Sequence, residues 1–296
     1  MNDRPMFDRV VVVDWSASST PTSGRDSVWI ASFDAAEADG VIANPATRHA
    51  AIQMIEQLAS DGRVLLAVDF SLGYPRGSAG LLGLDGHPWS AMWEMLSEMV
   101  IDEVDNTNNR FEVAAALNAR LIECPGPFWG RPATRPVDRL TTTKVSPTPL
   151  PEWRRVEQSL RDRGLRPFSS WQLLGAGAVG SQSILGIAAL ARLRRRLVES
   201  SGVDVEVWPF TSGLEAPRLD GGGCAIAEVW PSMLDIPVDD RVRDEAQVAT
   251  VGAHLWRANV DGTLAPIFTP DVPVEHRNQV LDEEGWVLDV SAIAPG

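Results

Sequence analysis

Two stretches of sequence, Val10-Val11-Val12-Val13-Asp14 and Val64-Leu65-Leu66-Ala67-Val68-Asp69, decide the fold. Each is a short run of β-branched or aliphatic residues that ends in an aspartate. Such runs are typical of strands that are buried on both faces. A carboxylate at the end of a buried strand lies at the edge of the sheet, where binding sites form. If the two strands are neighbours, the sequence predicts a metal site between their ends.

The composition indicates a folded protein with a substantial core. The chain has 296 residues, of which 44% are hydrophobic, and a formal net charge of -14. The acidic balance argues against broad adhesion to nucleic acid. The two cysteines, Cys124 and Cys224, are far apart, which indicates reduced thiols rather than a zinc site or a disulfide framework. Neither a signal peptide nor a bilayer-spanning apolar stretch is apparent, so we expect a cytoplasmic protein that does not contact the membrane.

The order of the predicted elements begins with a meander and a helix. A loop of small residues follows the first strand, and Asp39-Gly40 turns the chain between the second strand and the third. The fourth strand ends at Asp69, and further elements follow a long irregular stretch. The predicted elements other than the two opening stretches are strands at 27–33, 41–43, 203–208 and 224–230, and helices at 45–59, 88–104, 111–121, 181–200 and 241–259.

Three strands, a helix and a fourth strand occur in this order in the RNase H-like fold, where the first and fourth strands are parallel neighbours. We therefore predict an α/β fold with an RNase H-like mixed sheet flanked by helices. Strands 1–3 form an antiparallel meander, and strands 1, 4 and 5 are parallel. The predicted domain spans residues 7–260 with a large helical and loop insertion at 70–170, which we expect to form a cap or substrate wall. Residues 261–296 are predicted to be a C-terminal extension.

Two further acidic residues are candidate metal ligands. Asp244 shares a helix face with Val248, Val251 and Leu255, so it points towards the sheet, and a divalent cation would compensate its burial. The alternative is a first-turn carboxylate that the helix dipole favours. Glu228 interrupts an apolar strand, where it is either a ligand or a side chain on a solvated face.

Carboxylate oxygens are the ligands that Mg²⁺ and Mn²⁺ prefer. Two such ions about 4 Å apart activate a water molecule and stabilise the leaving oxygen in phosphodiester hydrolysis. In this hypothesis Asp14 bridges the ions, and Asp69 and Asp244 hold one each. The alternative for Asp14 and Asp69 is that each forms a turn after its strand.

Two loops contain candidate ligand contacts. Ser16 follows Asp14, and its hydroxyl could donate a hydrogen bond to a phosphate. Gly175-Ala176-Gly177-Ala178-Val179-Gly180 has the GxGxxG spacing of a dinucleotide-binding turn, which makes Gly175 and Gly177 candidate cofactor contacts. The acidic residue expected after the next strand is missing. A glycine-rich phosphate contact and close packing of the helix start therefore stay open as alternatives.

Four stretches together resemble the family of predicted RNase H-fold nucleases catalogued as domain of unknown function 429. The resemblance covers most of residues 7–260 and implies an RNase H-like core with acidic site residues at Asp14, Asp69 and Asp244, and also at Glu228. The first strand lacks the Asp-Gly pair of many relatives. The stretches are Val12-Val13-Asp14-Trp15-Ser16, Ala67-Val68-Asp69-Phe70-Ser71-Leu72-Gly73-Tyr74-Pro75, Ala227-Glu228-Val229-Trp230-Pro231-Ser232 and Arg243-Asp244-Glu245-Ala246-Gln247-Val248-Ala249.

The function that these observations favour is a divalent-metal-dependent phosphodiester hydrolase of the nuclease type. Its substrate would be nucleic acid or a small phosphorylated or nucleotide molecule. An actin-like or sugar-kinase-like phosphotransferase has the same strand order and stays an alternative. A noncatalytic binding module that keeps the acids for structure is a third, because a fold alone does not fix a function.

Overall fold

The computed structural model describes residues 4–121, 124, 126–175 and 178–292. In these residues a mixed sheet of seven strands is flanked by helices on both faces. The strands are β1 (Arg9–Asp14), β2 (Trp29–Asp34), β3 (Val41–Ala43), β4 (Arg63–Val68), β5 (Val205–Val207), β6 (Gly223–Val229) and β7 (Val287–Leu288). The helices are α1 (Arg48–Ala59), α2 (Ser78–Leu81), α3 (Pro88–Met99), α4 (Arg110–Ala119), α5 (Arg155–Asp162), α6 (Gly180–Ser201), α7 (Arg243–Val260) and α8 (Val274–Gln279), with a π-helical turn at Val280–Glu284 and 3-10 turns at Pro231–Met233, Ala265–Phe268 and Val290–Ala292.

The strands lie in the order β3-β2-β1-β4-β6-β5, and β7 also pairs with β6. Strands β1 to β3 form the predicted antiparallel meander, and β4 is parallel to β1. The strand beside β4 is β6, and β5 lies beyond it in a parallel pair. All seven residues of β6 are buried, whereas β5 has three residues and Glu206 at its centre is partly exposed. A short strand with a charged residue suits the edge of a sheet, and an apolar strand suits its interior.

The valine run of β1 is buried because both of its faces are covered. Val11 and Val13 face the core formed with α1, α3, α4 and α6. Val10 and Val12 face the opposite core, which contains α7. Successive side chains of a strand point to opposite faces, so a strand between two helical layers is apolar at every position.

The inserted segment packs against the sheet-covering helices. Its helices α3 and α4 contact α6 and share one core with it. Helix α3 ends at Met99, earlier than the predicted Val104, because Val100 adopts extended backbone and the Ile101 N–H bonds to Asn109 Oδ1 at 2.8 Å. The insertion therefore extends the same core instead of forming a separate one.

The segment after α7 returns to the sheet and to the insertion. Its strand β7 pairs with β6. The Glu283 carboxylate accepts the N–H groups of Gly77 and Ala79, each at 2.7 Å. The Glu284 carboxylate accepts those of Arg76 at 2.8 Å and Arg155 at 2.7 Å. Of the helices among the described residues, none combines the length and apolar character needed to cross a membrane.

Gly186 in α6 lies against the ring of Phe70, the second residue after β4. A Cβ atom at Gly186 would lie 2.3 Å from Phe70 Cζ. Glycine is therefore required at this position for close packing, although it disfavours the helix itself.

We expect Gly186→Ala to lower the free energy of unfolding by about 1–3 kcal/mol, because overpacking outweighs the gain in helix propensity. Gly80→Ala in α2 is the matched control, since a Cβ there has open space around it. The control should leave the free energy of unfolding unchanged or raise it by up to about 1 kcal/mol. Urea denaturation measures both values, and a Gly186→Ala variant as stable as the wild type would contradict the described packing.

Candidate functional site

Asp14 and Asp69 lie side by side at the ends of two adjacent strands. Asp14 is the last residue of β1, and Asp69 directly follows β4. The parallel register pairs Val13 with Val68, so the next residue of each strand reaches the same edge. The Asp69 N–H donates to Val13 O at 3.2 Å, and Asp69 Oδ1 accepts the Trp15 N–H at 2.8 Å. The two carboxyl groups are in hydrogen-bonding contact with each other.

Asp14 and Asp69 both have raised pKa values and no cationic partner among the described residues. Burial raises the pKa of Asp14 well above its ordinary value, and the charges of Asp69 and Asp244 raise it further. Burial also raises the pKa of Asp69, to about 7, against the effect of the Trp15 N–H. In the part of the chain that the structure describes, neither carboxylate has a Lys, Arg or His at ion-pair distance. The raised pKa values of the pair favour a protonated form over two carboxylate charges side by side.

Asp244 lies in the first turn of α7, on the wall of the same cavity. Its Oδ2 accepts the Asp26 N–H at 2.8 Å. Burial raises its pKa, and the Asp26 charge adds to the effect. Asp244 is close enough for its charge to raise the pKa of both Asp14 and Asp69. The structure thus brings the three predicted aspartates to one cavity, with two in contact and the third beside them.

The cavity has a volume of about 660 Å³. The loop after β1, the inserted segment, the start of α6, the end of β6 and the start of α7 all contribute to its wall. Its polar and charged lining residues include Asp14, Ser16, Ser18, Arg25, Asp26, Asp69, Arg110, Arg154, Glu157, Ser181, Gln182, Glu228, Asp244 and Gln247, and apolar residues such as Leu160, Phe168 and Leu174 complete it.

The fit of this donor set to a divalent cation rests on the Asp14–Asp69 pair. Across the described ranges, no three His, Cys, Asp or Glu side chains are arranged so that they could hold a metal ion. Two adjacent carboxylates with no cationic partner among the described residues nevertheless have the chemistry that Mg²⁺ requires, since this ion is usually held by one or two carboxylates plus water. The pair fits such an ion, and Asp244 is not part of a preformed three-carboxylate cage.

Glu228 is held by a buried arginine. Arg154 Nη2 donates to Glu228 Oε1 at 2.6 Å, and Arg154 Nη1 donates to Oε2 at 2.8 Å. The Leu72 N–H donates to the same Oε2 at 3.1 Å. Arg154 Nε donates to Glu157 Oε1 at 2.7 Å, so a second carboxylate binds the same guanidinium. Glu228 is 5% exposed, so it does not lie on a solvated face, and both of its oxygens are engaged without a metal.

Two of the predicted loop contacts, Ser16 and Gly175, line the cavity. The Ser16 Oγ, however, donates to Asp26 O at 2.6 Å and accepts the Ser18 N–H at 3.2 Å. Gly175 has a φ of +114°. Gly177 lies outside the described residues. Among the described residues no strand directly precedes these glycines, as a dinucleotide-binding turn would require, since Gln172 makes only an isolated bridge to Trp129.

Sequence reasoning missed two arginines of the cavity wall. Arg154 and Glu157 are three residues apart at a helix start, a spacing that brings side chains together, so this part of the cluster had a detectable signal. Arg110 begins α4 and lines the same cavity. Two of its partners, Ser19 and Ser181, are 91 and 71 positions away, which no local pattern reveals.

Comparison with known proteins gives no match. No protein-family model matches the chain, and neither the curated proteins nor the solved structures contain a significant match to it. The site is therefore interpreted from its own geometry and chemistry.

We expect Asp14→Asn to stabilise the metal-free protein at alkaline pH. Folding raises the pKa of both carboxyl groups above 3.8. The pair's contribution to the free energy of unfolding is therefore fully present below pH 3.8 and is lost as the pH rises through about 7, the pKa of Asp69. The amide that the substitution introduces keeps a donor for Asp69 without the charge. Urea denaturation in EDTA should show a gain of about 2 kcal/mol at pH 8 and almost none at pH 4.

The control for this variant is Asp39→Asn, at an exposed aspartate far from the site. It should change the free energy of unfolding by a similar, small amount at both pH values. A stability difference for Asp14→Asn that does not grow with pH would contradict the raised pKa values of the pair.

We expect Glu228→Gln to lower the free energy of unfolding by about 3 kcal/mol, because it removes a charge that compensates the buried Arg154. Glu112→Gln is the control, since Glu112 forms an exposed pair with Arg135 at 2.6 Å and should lose less than about 1 kcal/mol. Thermal or urea unfolding gives both values. Equal effects at the two positions would mean that Arg154 does not depend on Glu228.

Proposed function

We propose that this protein is a divalent-metal-dependent phosphodiester hydrolase with an RNase H-like fold, related to the family catalogued as domain of unknown function 429. The observation that carries the proposal is the contact between the Asp14 and Asp69 carboxyl groups at the ends of adjacent parallel strands. Asp14 is buried and Asp69 is partly buried, neither has a cationic side chain at ion-pair distance among the described residues, and both line a cavity of about 660 Å³.

The sheet supports the fold assignment within this proposal. An antiparallel β1-β2-β3 meander, a helix after β3 and a fourth strand parallel to β1 give the strand order of the RNase H-like fold. The first and fourth strands of that order carry Asp14 and Asp69. Asp14 and Asp69 therefore lie where an RNase H-like fold would have acidic site residues, which supports the proposal.

Asp14 and Asp69 would hold the metal ion in this proposal. When bound, Mg²⁺ or Mn²⁺ would supply positive charge for the phosphate oxygens and lower the pKa of a water molecule. Glu228 is left out of the ligand set because Arg154 engages both of its oxygens. Asp244 would act from the neighbouring wall, where its side chain is fixed by the Asp26 N–H.

The chain's own groups orient the pair and move its proton. The Trp15 N–H fixes Asp69 Oδ1. Because the raised pKa values favour a protonated form of the pair, the two carboxyl groups must release that proton to become two carboxylates. Cation binding is therefore coupled to proton release, and the apparent affinity rises with pH.

The cavity and the net charge restrict the proposed substrate. A concave cavity of about 660 Å³ is in the range of small-molecule sites. The net charge of -14 repels a long polyanion. We therefore favour a nucleotide, a short oligonucleotide or another small phosphate ester over a long duplex.

Titration calorimetry with Mn²⁺ tests the metal part of the proposal. The wild type should bind the ion with release of protons, and Asp14→Asn and Asp69→Asn should each lose at least about tenfold in affinity, because each loses a charged ligand. Asp39→Asn, which removes an equal charge from an exposed loop, should bind as the wild type does. A wild type that binds no Mn²⁺ at pH 8 would remove the metal site.

Hydrolysis assays test the reaction itself. The substrates are bis(p-nitrophenyl) phosphate, single-stranded oligonucleotides, duplexes and RNA–DNA hybrids, each with Mg²⁺, with Mn²⁺ and with EDTA. Activity should require the cation and should be lost in Asp14→Asn and Asp69→Asn but not in Asp39→Asn. Metal binding without hydrolysis of any of these substrates would contradict the hydrolase proposal.

A further inference from the structure

Three arginines are buried in the part of the chain that the structure describes: Arg48, Arg110 and Arg154. Arg48 forms an ion pair with Asp102, whose oxygens lie 2.5 and 2.7 Å from its nitrogens. Arg154 lies between Glu157 and Glu228. A buried charge is costly unless a counterion compensates it, and both of these arginines have one.

Arg110 differs because its described partners are neutral. Its Nε donates to Ser181 Oγ at 3.0 Å, and its Nη1 donates to Ser19 Oγ and Asn108 Oδ1, each at 2.8 Å. No carboxylate of the described residues lies within ion-pair distance of it, although the side chain is in a residue only 8% exposed. The guanidinium is thus buried, held in a fixed orientation and left without a counterion.

The surroundings of Arg110 make an anion favourable at this point. Burial lowers the pKa of Arg110 to about 10, the charges of Arg48 and Arg135 lower it further, and the carboxylates of Glu112 and Asp102 offset part of this without coming within ion-pair distance. Nη2 has no hydrogen-bond partner among the residues described. The side chain lines the cavity that contains Asp14 and Asp69. The guanidinium stays charged at neutral pH, and a donor remains for a ligand in the cavity.

We propose that Arg110 is the phosphate-binding residue of this cavity. The ligand class is a phosphate group, either free or as part of a small phosphate ester. A guanidinium binds phosphate through directed, charge-assisted hydrogen bonds, and Ser19, Asn108 and Ser181 fix its plane in advance. The first turn of α6, which contributes Ser181 and Gln182 to the same wall, adds the positive end of a helix dipole.

This inference deepens the proposed function, because it assigns the phosphate of the substrate to a residue of the inserted segment. The acids of β1 and β4 and the arginine of α4 would then act on different parts of one ligand. A cavity that binds metal but no anion would not suit a phosphate ester. The insertion at 70–170 would therefore contribute recognition, while the sheet contributes the acidic pair.

Titration calorimetry with inorganic phosphate, in EDTA and at low salt, tests the assignment. The wild type should bind phosphate in the millimolar range, and Arg110→Gln should lose at least about tenfold in affinity, the usual cost of a charge-assisted hydrogen bond. Arg120→Gln is the matched control, since Arg120 ends the same helix, is exposed and donates to Leu82 O at 3.0 Å. It removes the same charge and should bind phosphate as the wild type does.

A nucleoside 5′-monophosphate in the same titration distinguishes the two sources of phosphate. Tighter binding than that of inorganic phosphate, lost in Arg110→Gln, supports a phosphate ester as the ligand. Equal binding of the two probes, lost in the same variant, supports recognition of the phosphate alone. Wild-type binding that survives in Arg110→Gln, or no wild-type binding of either probe, overturns the assignment.

The metal titration separates this inference from the proposed function. Arg110→Gln should bind Mn²⁺ as the wild type does, because Arg110 does not contact Asp14 or Asp69 in the described hydrogen bonds. Normal Mn²⁺ binding with unchanged phosphate binding in this variant would overturn the Arg110 assignment and leave the metal proposal standing. If Arg110→Gln does not fold, a wild-type crystal grown with phosphate decides, since the anion must lie at Arg110 Nη2.

Discussion

The parallel pairing of β1 with β4 is the constraint on which the site depends. The pairing sets Val13 beside Val68, and each strand delivers its next residue to the same edge of the sheet. Two aspartates that are far apart in the chain therefore meet without any loop to bring them together. Burial of the strands on both faces then makes their carboxyl groups expensive to ionise, so the fold itself sets the proton affinity of the pair.

The cavity wall contains charged side chains that have counterions and charged side chains that do not. On one wall, Arg154 between Glu157 and Glu228 forms a closed network in which the described donors and acceptors compensate each other. On another, the buried Asp14 and Arg110 and the partly buried Asp69 have no oppositely charged side chain at ion-pair distance among the described residues. Stability alone does not favour such groups, since folding must desolvate them without a partner. Groups of both signs that have no charged partner, gathered in one cavity, are candidates for a functional site.

Sequence patterns predicted the elements that depend on local periodicity. The apolar runs at β1 and β4, the turn at Asp39-Gly40 and the face of α7 are each visible within a few residues, and the structure has strands, a turn and a helix at these places. The ion pair between Glu228 and Arg154 could not be predicted from a local pattern. Its partner Arg154 lies 74 positions away in an insertion without regular alternation, and the same strand pattern suits both a solvated and a paired glutamate. The place of Arg110 in the cavity wall could not be predicted either, because Ser19 and Ser181, which fix its side chain, are distant in sequence.

The clasp that Glu283 and Glu284 make with the backbone at 76–79 and 155 bears on how the protein matures at the ribosome. Four N–H groups of the insertion have their acceptors in carboxylates that are synthesised more than 120 residues later. Until residue 284 leaves the exit tunnel, the nascent insertion must keep those donors in water. A chain that ends before residue 283 would therefore lack the acceptors of these four N–H groups and also β7, which pairs with β6.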